Sequence, residues 1–108
     1  MIEPSDKMLI DEALRRKRIF EELDKWLQRI KMGVLEVDPS AEVYLFGSVA
    51  EGKHTYSSDI DVLVITDKGV EEILPRLWEL GVGDPFEVHV RPRSMLEAYR
   101  RRGKLIRI

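Results

Sequence analysis

Two aspartates stand two residues apart in Ser58-Asp59-Ile60-Asp61-Val62-Leu63-Val64-Ile65, at the mouth of an aliphatic run. In an extended strand such residues share a face, about 7 Å apart along the chain. Like charges so placed repel, and aspartate is depleted in strands, so a cation between them would relieve the arrangement. Without a ligand, Asp59 reads as part of a Ser-Ser-Asp turn and Asp61 as a solvent-facing residue at a sheet end. The pair alone leaves both readings open. A third carboxylate comes from Phe86-Glu87-Val88-His89-Val90, where apolar side chains alternate with Glu87 and His89. If this strand lies beside that of Asp59 and Asp61, Glu87 joins them in an oxygen cage suited to one or two magnesium ions. His89 reads as a packing or hydrogen-bonding histidine rather than a ligand. Gly47-Ser48 falls where a strand ends, leaving backbone N–H groups and a hydroxyl for phosphate oxygens. Gly52-Lys53 adds a second flexible point and a positive charge to the same loop, so anion donors and cation-binding acids sit in one unit.

The elements that must position these residues follow from periodicity. Pro4 and Ser5 mark a helix entry with Ser5 as N-cap, and Leu9, Ala13, Phe20, Leu23, Leu27 and Ile30 form one apolar stripe over about seven turns, ended by Gly33. The basic run Arg15 to Arg18 is flanked by Asp11, Glu12, Glu21 and Glu22 at helical spacing, which reads as a solvated, ion-paired face. Strands are expected at 42–46, 60–66 and 86–91. Helices are expected at 70–80, with Pro75 inside the pattern, and at 95–102 after a Ser94 cap; an edge strand at 104–108 closes the chain. This is an α/β (α+β) fold, a small mixed β-sheet covered by helices, in the order α-β-β-α-β-α-β, and one domain over 1–108.

Composition narrows the functions. A chain of 108 residues suits a single core, and 44% hydrophobic with 35% charged residues describes neither a disordered nor a membrane-spanning chain. The strongest aliphatic run, 62–65, is far short of the roughly 20 residues of a spanning helix, and the N-terminus has no signal-peptide character, so the cytoplasm is expected. With no cysteine, disulfides, thiolate catalysis and cysteine-held zinc are excluded, and any metal should be held by oxygen. The net charge of -2 is uneven: residues 33–83 carry three basic and ten acidic side chains, residues 84–108 seven and three. An acidic centre suits a metal site and does not suit a DNA or RNA track.

The run GSVAEGKHTYSSDIDVLV, in which Gly47-Ser48 precedes Asp59-x-Asp61 by ten residues, resembles the signature of the DNA polymerase beta-like nucleotidyltransferase superfamily. At this length it resembles the minimal nucleotidyltransferases of bacteria and archaea, with FEVHV in their third-carboxylate slot. Members often carry aspartate there, and Glu87 is one methylene longer. The resemblance implies transfer of a nucleoside monophosphate, AMP from ATP, to a hydroxyl with release of pyrophosphate. It implies Asp59, Asp61 and Glu87 as catalytic residues and ligands of up to two magnesium ions, with Gly47, Ser48, Lys53 and Ser58 on the nucleotide. It further implies a small helical partner of the HEPN type as acceptor, modified on a tyrosine hydroxyl in an antitoxin role. A small-molecule acceptor and a catalytically silent binding module that neutralises a partner by contact are the alternatives. A homo-oligomer is compatible with the chain, and acceptor and nucleotide identity are not written in it.

Overall fold

The computed structural model describes residues 3–108. In chain order it holds α1 (Pro4–Glu21), α2 (Leu23–Val37), β1 (Glu42–Phe46), α3 (Gly47–Ala50), β2 (Ile60–Ile65), α4 (Val70–Glu79), β3 (Phe86–Arg91), α5 (Leu96–Arg102) and β4 (Ile106–Arg107). The four strands form one mixed sheet in the order β3-β2-β1-β4, with β1 antiparallel to β2 and β4 and β3 parallel to β2 through the α4 crossover.

The sheet is covered on both faces, unequally. Val43, Leu45, Ile60, Val62, Val64 and Val90 pack with Leu27, Ile30 and Val34 of α2 and Ile73 and Leu77 of α4 in the main core. On the other face Tyr44, Leu63 and Ile65 meet Leu96 and Tyr99 of α5 and its approach. As an interior strand buried on both sides, β2 reads as a nearly continuous aliphatic run. Its one interruption is Asp61, which lies on the α5 face near the start of the strand.

The N-terminal region differs from the expectation in four ways. The predicted single helix is two, broken at Glu22, whose φ of -110° and ψ of 26° leave the helical region. The N-cap is Glu3, not Ser5, because Pro4 occupies the first helical position, where a fixed φ and a missing N–H carry no penalty. Leu9 and Ala13 are exposed, since α1 runs out beyond the sheet and the stripe has nothing left to cover; the core side of α1 is supplied by Ile19 instead. Gly33 is no helix stop but lies inside α2, where a Cβ would sit 2.6 Å from Leu80 Cδ1 and 3.1 Å from Leu77 Cδ2. It lets α2 and α4 approach closely.

The basic run of α1 is ion-paired as expected, with Lys17 3.9 Å from Glu21 and Arg15 2.9 Å from Glu12. Two of its members reach further. Arg15 and Arg16 each lie 3.0 Å from a carboxylate oxygen of Asp84, just before β3, and Arg16 donates to the Ser58 carbonyl at 3.1 Å. Thus α1 is latched to both segments that lead into the candidate site. At the C-terminal end, Ser94 falls within a 3-10 turn, Arg93–Met95, and Met95 takes the N-cap position of α5. Pro75 sits inside α4 without ending it. No helix among the described residues is long and apolar enough to cross a membrane.

Candidate metal and nucleotide site

Pairing register builds the site. The antiparallel ladder sets Phe46, the last residue of β1, opposite Asp61, and the parallel ladder sets Asp61 opposite Glu87 and Leu63 opposite His89. Side chains of paired residues project to the same face, so Asp61 and Glu87 lie side by side with His89 one step along. Immediately after Phe46 the chain turns at Gly47 with a φ of +75° and enters α3. That turn presses on the site, because a Cβ on Gly47 would overlap the Asp61 carboxylate. Only glycine satisfies both the left-handed backbone and the close approach.

Asp61, Glu87 and His89 each offer a ligand atom within 4.8 Å of the other two. His89 Nε2 is 3.8 Å from Asp61 Oδ1 and 3.5 Å from Glu87 Oε1. Burial pushes the Asp61 carboxyl above its ordinary pKa, the charges of Glu87 and Asp59 add to the rise, and His89 opposes it. A half-buried carboxylate beside two others is therefore destabilised in its charged form, as a group awaiting a cation would be. The donor set of two carboxylates and an imidazole fits a divalent ion. The imidazole is held from behind: Tyr99 Oη lies 3.3 Å from Nδ1, and the Phe46 ring meets the imidazole edge-on with centroids 5.0 Å apart.

The remaining residues singled out from the sequence fall around this trio. Asp59 is exposed just ahead of β2; it is outside the three-residue cluster, but its charge contributes to the raised pKa of Asp61. Ser48 lies in α3, whose first turn carries backbone N–H groups without intrahelical partners. Lys53 is exposed, with its backbone N–H donating to the Ser48 carbonyl at 2.9 Å. The Ser58 hydroxyl accepts from the Thr55 N–H at 3.0 Å and so staples the loop ahead of Asp59.

Sequence reasoning read His89 as a packing or hydrogen-bonding histidine; the structure shows both contacts, and also sets the ring's Nε2 toward the Asp61 and Glu87 carboxylates. The strand alternation that placed His89 on the face of Glu87 was the available signal. It also missed a small cleft beside Gly47, lined by Phe46, Tyr99, Glu51, Arg102 and Lys104, which brings two cations, one carboxylate and two aromatic rings to the turn. The contact between Arg102 and the Tyr99 ring, 4.9 Å to the centroid, depends on α5 folding back over the sheet, which local sequence does not announce.

Residues 27–107 match the family described as a nucleotidyltransferase domain. Comparison with curated proteins gives no match. Among solved structures, one assigned as a nucleotidyltransferase is 28% identical, with a TM-score of 0.58 over 75% of this chain and 95% of that one. A second, so assigned and from Sulfolobus solfataricus, is 20% identical with a TM-score of 0.55 over 91% and 83% of the two chains, and shares the fold. With the turn, the paired carboxylates and the mixed sheet that joins them, this match over most of its length shows that the chain belongs to the nucleotidyltransferase family, as a minimal member of the DNA polymerase beta-like superfamily.

Proposed function

We propose that this chain transfers AMP from ATP to a hydroxyl, and that the acceptor is a tyrosine of a small helical protein of the HEPN type, which the transfer silences. The observation that carries the transfer reading is the register of Asp61 against Glu87 with the Gly47 turn packed on Asp61. It supports this reading because the Gly47 turn and the Asp61 and Glu87 carboxylates come together in one short unit. Support for the acceptor comes from the resemblance to minimal nucleotidyltransferases and from the openness of the site, where the Glu87 side chain is 56% exposed on an edge strand.

In this reading the backbone N–H groups and hydroxyl of Gly47 and Ser48 hold the β and γ phosphates, with Arg102 and Lys104 lining the cleft beside the turn and Lys53 following in the same loop. The α-phosphorus is thereby turned toward the acceptor that approaches past β3. Asp61 and Glu87, with Asp59, would hold divalent magnesium, which when bound offsets phosphate charge and lowers the pKa of the attacking hydroxyl. The bond formed joins the acceptor oxygen to the α-phosphorus, and the bond broken joins that phosphorus to the bridging oxygen of the leaving pyrophosphate. Glu87, the more exposed carboxylate, receives the acceptor proton. The half-buried Phe46 offers a ring toward the nucleotide on the α5 side, backed by the buried Tyr99.

The test is incubation of the purified chain with each radiolabelled nucleoside triphosphate, a divalent salt and a candidate helical partner of the HEPN type, followed by mass spectrometry of the acceptor. Adenylylation is expected, falling on the order of 100-fold or more in Asp61→Asn and Glu87→Gln. Stable binding to that protein with no transfer from any nucleotide would leave the contact-only role in its place.

A further inference from the structure

We propose that His89 is a direct metal ligand through Nε2, and that it gives this site a preference for first-row transition ions over Mg2+, with paramagnetic Mn2+ as the reporting ion. The inference deepens the nucleotidyltransferase reading by naming the ion, and it rests on that reading only for the ion's use. Buried His89 Nε2 has no hydrogen-bond partner among the described residues, although two carboxylates face it. At 3.5 and 3.8 Å it is beyond the roughly 2.7–3.2 Å of an N–H donor to oxygen.

Both protonation patterns of a neutral ring lead to the same place. If Nδ1 carries the proton, it faces Tyr99 Oη at 3.3 Å, and the Nε2 lone pair points at two anions, which is favourable only with a cation between them. If Nε2 carries it, the proton has no acceptor at bonding distance. An ion with bonds of about 2.1 Å holds adjacent ligands about 3 Å apart, so the 3.5 and 3.8 Å spacings close by about 0.5–0.8 Å on binding, within reach of the exposed Glu87 side chain. The ring is prepared for ligation in the way metal-bound histidines are: its far nitrogen has a hydroxyl partner and its plane is set by Phe46. Magnesium favours oxygen donors, whereas imidazole suits first-row transition ions, so a single nitrogen among two carboxylates shifts the choice.

The measurement is pulsed electron paramagnetic resonance of the intact chain loaded with Mn2+ alone, without nucleotide, together with Mn2+ and Mg2+ titrations. A coupling from directly bound nitrogen is expected in the parent and absent in His89→Gln. That variant should lose tenfold or more in Mn2+ affinity while its Mg2+ affinity changes less than twofold. Tyr99→Phe should keep the nitrogen coupling with a several-fold weaker affinity. Absence of nitrogen coupling in the Mn2+-loaded parent, which needs no variant to fold, overturns the assignment and leaves His89 a packing and hydrogen-bonding residue beside two carboxylates. Equal losses for both ions in His89→Gln overturn the preference. Nitrogen ligation without nucleotide transfer would sink the transfer reading and leave the ligand assignment standing.

Discussion

Replacing Gly47 by alanine adds one carbon where two demands meet. The backbone φ of +75° is left-handed, which costs a residue with a Cβ roughly 1–2 kcal/mol. The new methyl also falls on the Asp61 carboxylate, which must leave its rotamer at about 0.5–1.5 kcal/mol. Gly47→Ala should therefore lose about 2–3 kcal/mol in urea unfolding, well beyond the few tenths of an exposed-loop substitution. The two parts separate in a double-mutant cycle. In an Asp61→Ala background the carboxylate is gone and a contact of 3.3 Å to the Asp61 Cβ position remains, so only the backbone part should persist. The coupling energy between positions 47 and 61 should then be about 1 kcal/mol, measured metal-free so that ion binding does not enter. An equal cost in both backgrounds would refute the packing of the turn on Asp61, and a cost below about 0.5 kcal/mol would refute the left-handed conformation as well.

Three other outcomes are expected. Asp61→Asn should raise the melting temperature by a few degrees at neutral pH in a chelator: the folded carboxyl titrates above its ordinary 3.8, so the native state loses stability as pH rises through that window, and the gap from the parent should close as pH drops below 3.8. Gly33→Ala should destabilise by about 1 kcal/mol despite a helix-propensity gain of similar size, because overpacking against Leu80 and Leu77 costs roughly 1–3 kcal/mol; chemical denaturation in a Leu80→Ala background should reverse the sign. The Glu42 carboxyl is held below its ordinary 4.5, chiefly by the Arg93 guanidinium and then by the Tyr44 hydroxyl. Its stabilisation is complete above 4.5 and lost as pH falls through the lower folded value, so Arg93→Ala should weaken that acid-side loss by less than about 1 kcal/mol in pH-dependent unfolding.

What could be read from the residues alone was what short-range pattern encodes. Alternation in Phe86-Glu87-Val88-His89-Val90-Arg91 and the aliphatic run after Asp61 delimit β3 and β2 to within a residue, because each strand's neighbours impose a period of two or none. The facing of Glu87 toward Asp61 needed one more assumption, that the two strands are adjacent, and the α4 crossover supplies it. The break at Glu22 carries no glycine or proline and depends on where α2 docks on the sheet. Gly33 sits near where a stop is expected, so its chemistry points equally to a terminus and to a helix crossing, and only the position of Leu80 decides. The partners that hold His89, Phe46 and Tyr99, come from segments 43 residues before and 10 residues after it, so its packing and hydrogen bonding could be named but not its partners.

Two of the three proposed ligand residues, Glu87 and His89, lie on β3, and among the described residues β3 is an edge, with β2 on one side and no strand on the other. An edge six residues long presents a row of unpaired peptide groups, a template on which a second sheet can grow. Here the face shared with Asp61 carries Glu87, His89 and Arg91 at every second position, polar side chains along the edge strand, and the Arg91 guanidinium folds onto the Val90 carbonyl at 2.9 Å. The residues that would gather an ion also discourage intermolecular strand addition. Blanking the site by neutral substitution therefore strips the edge of its guards. A Glu87→Gln or His89→Gln preparation will meet sheet-to-sheet association at lower concentration than the parent, so a drop in turnover measured in concentrated samples has two separable origins, chemistry and self-assembly.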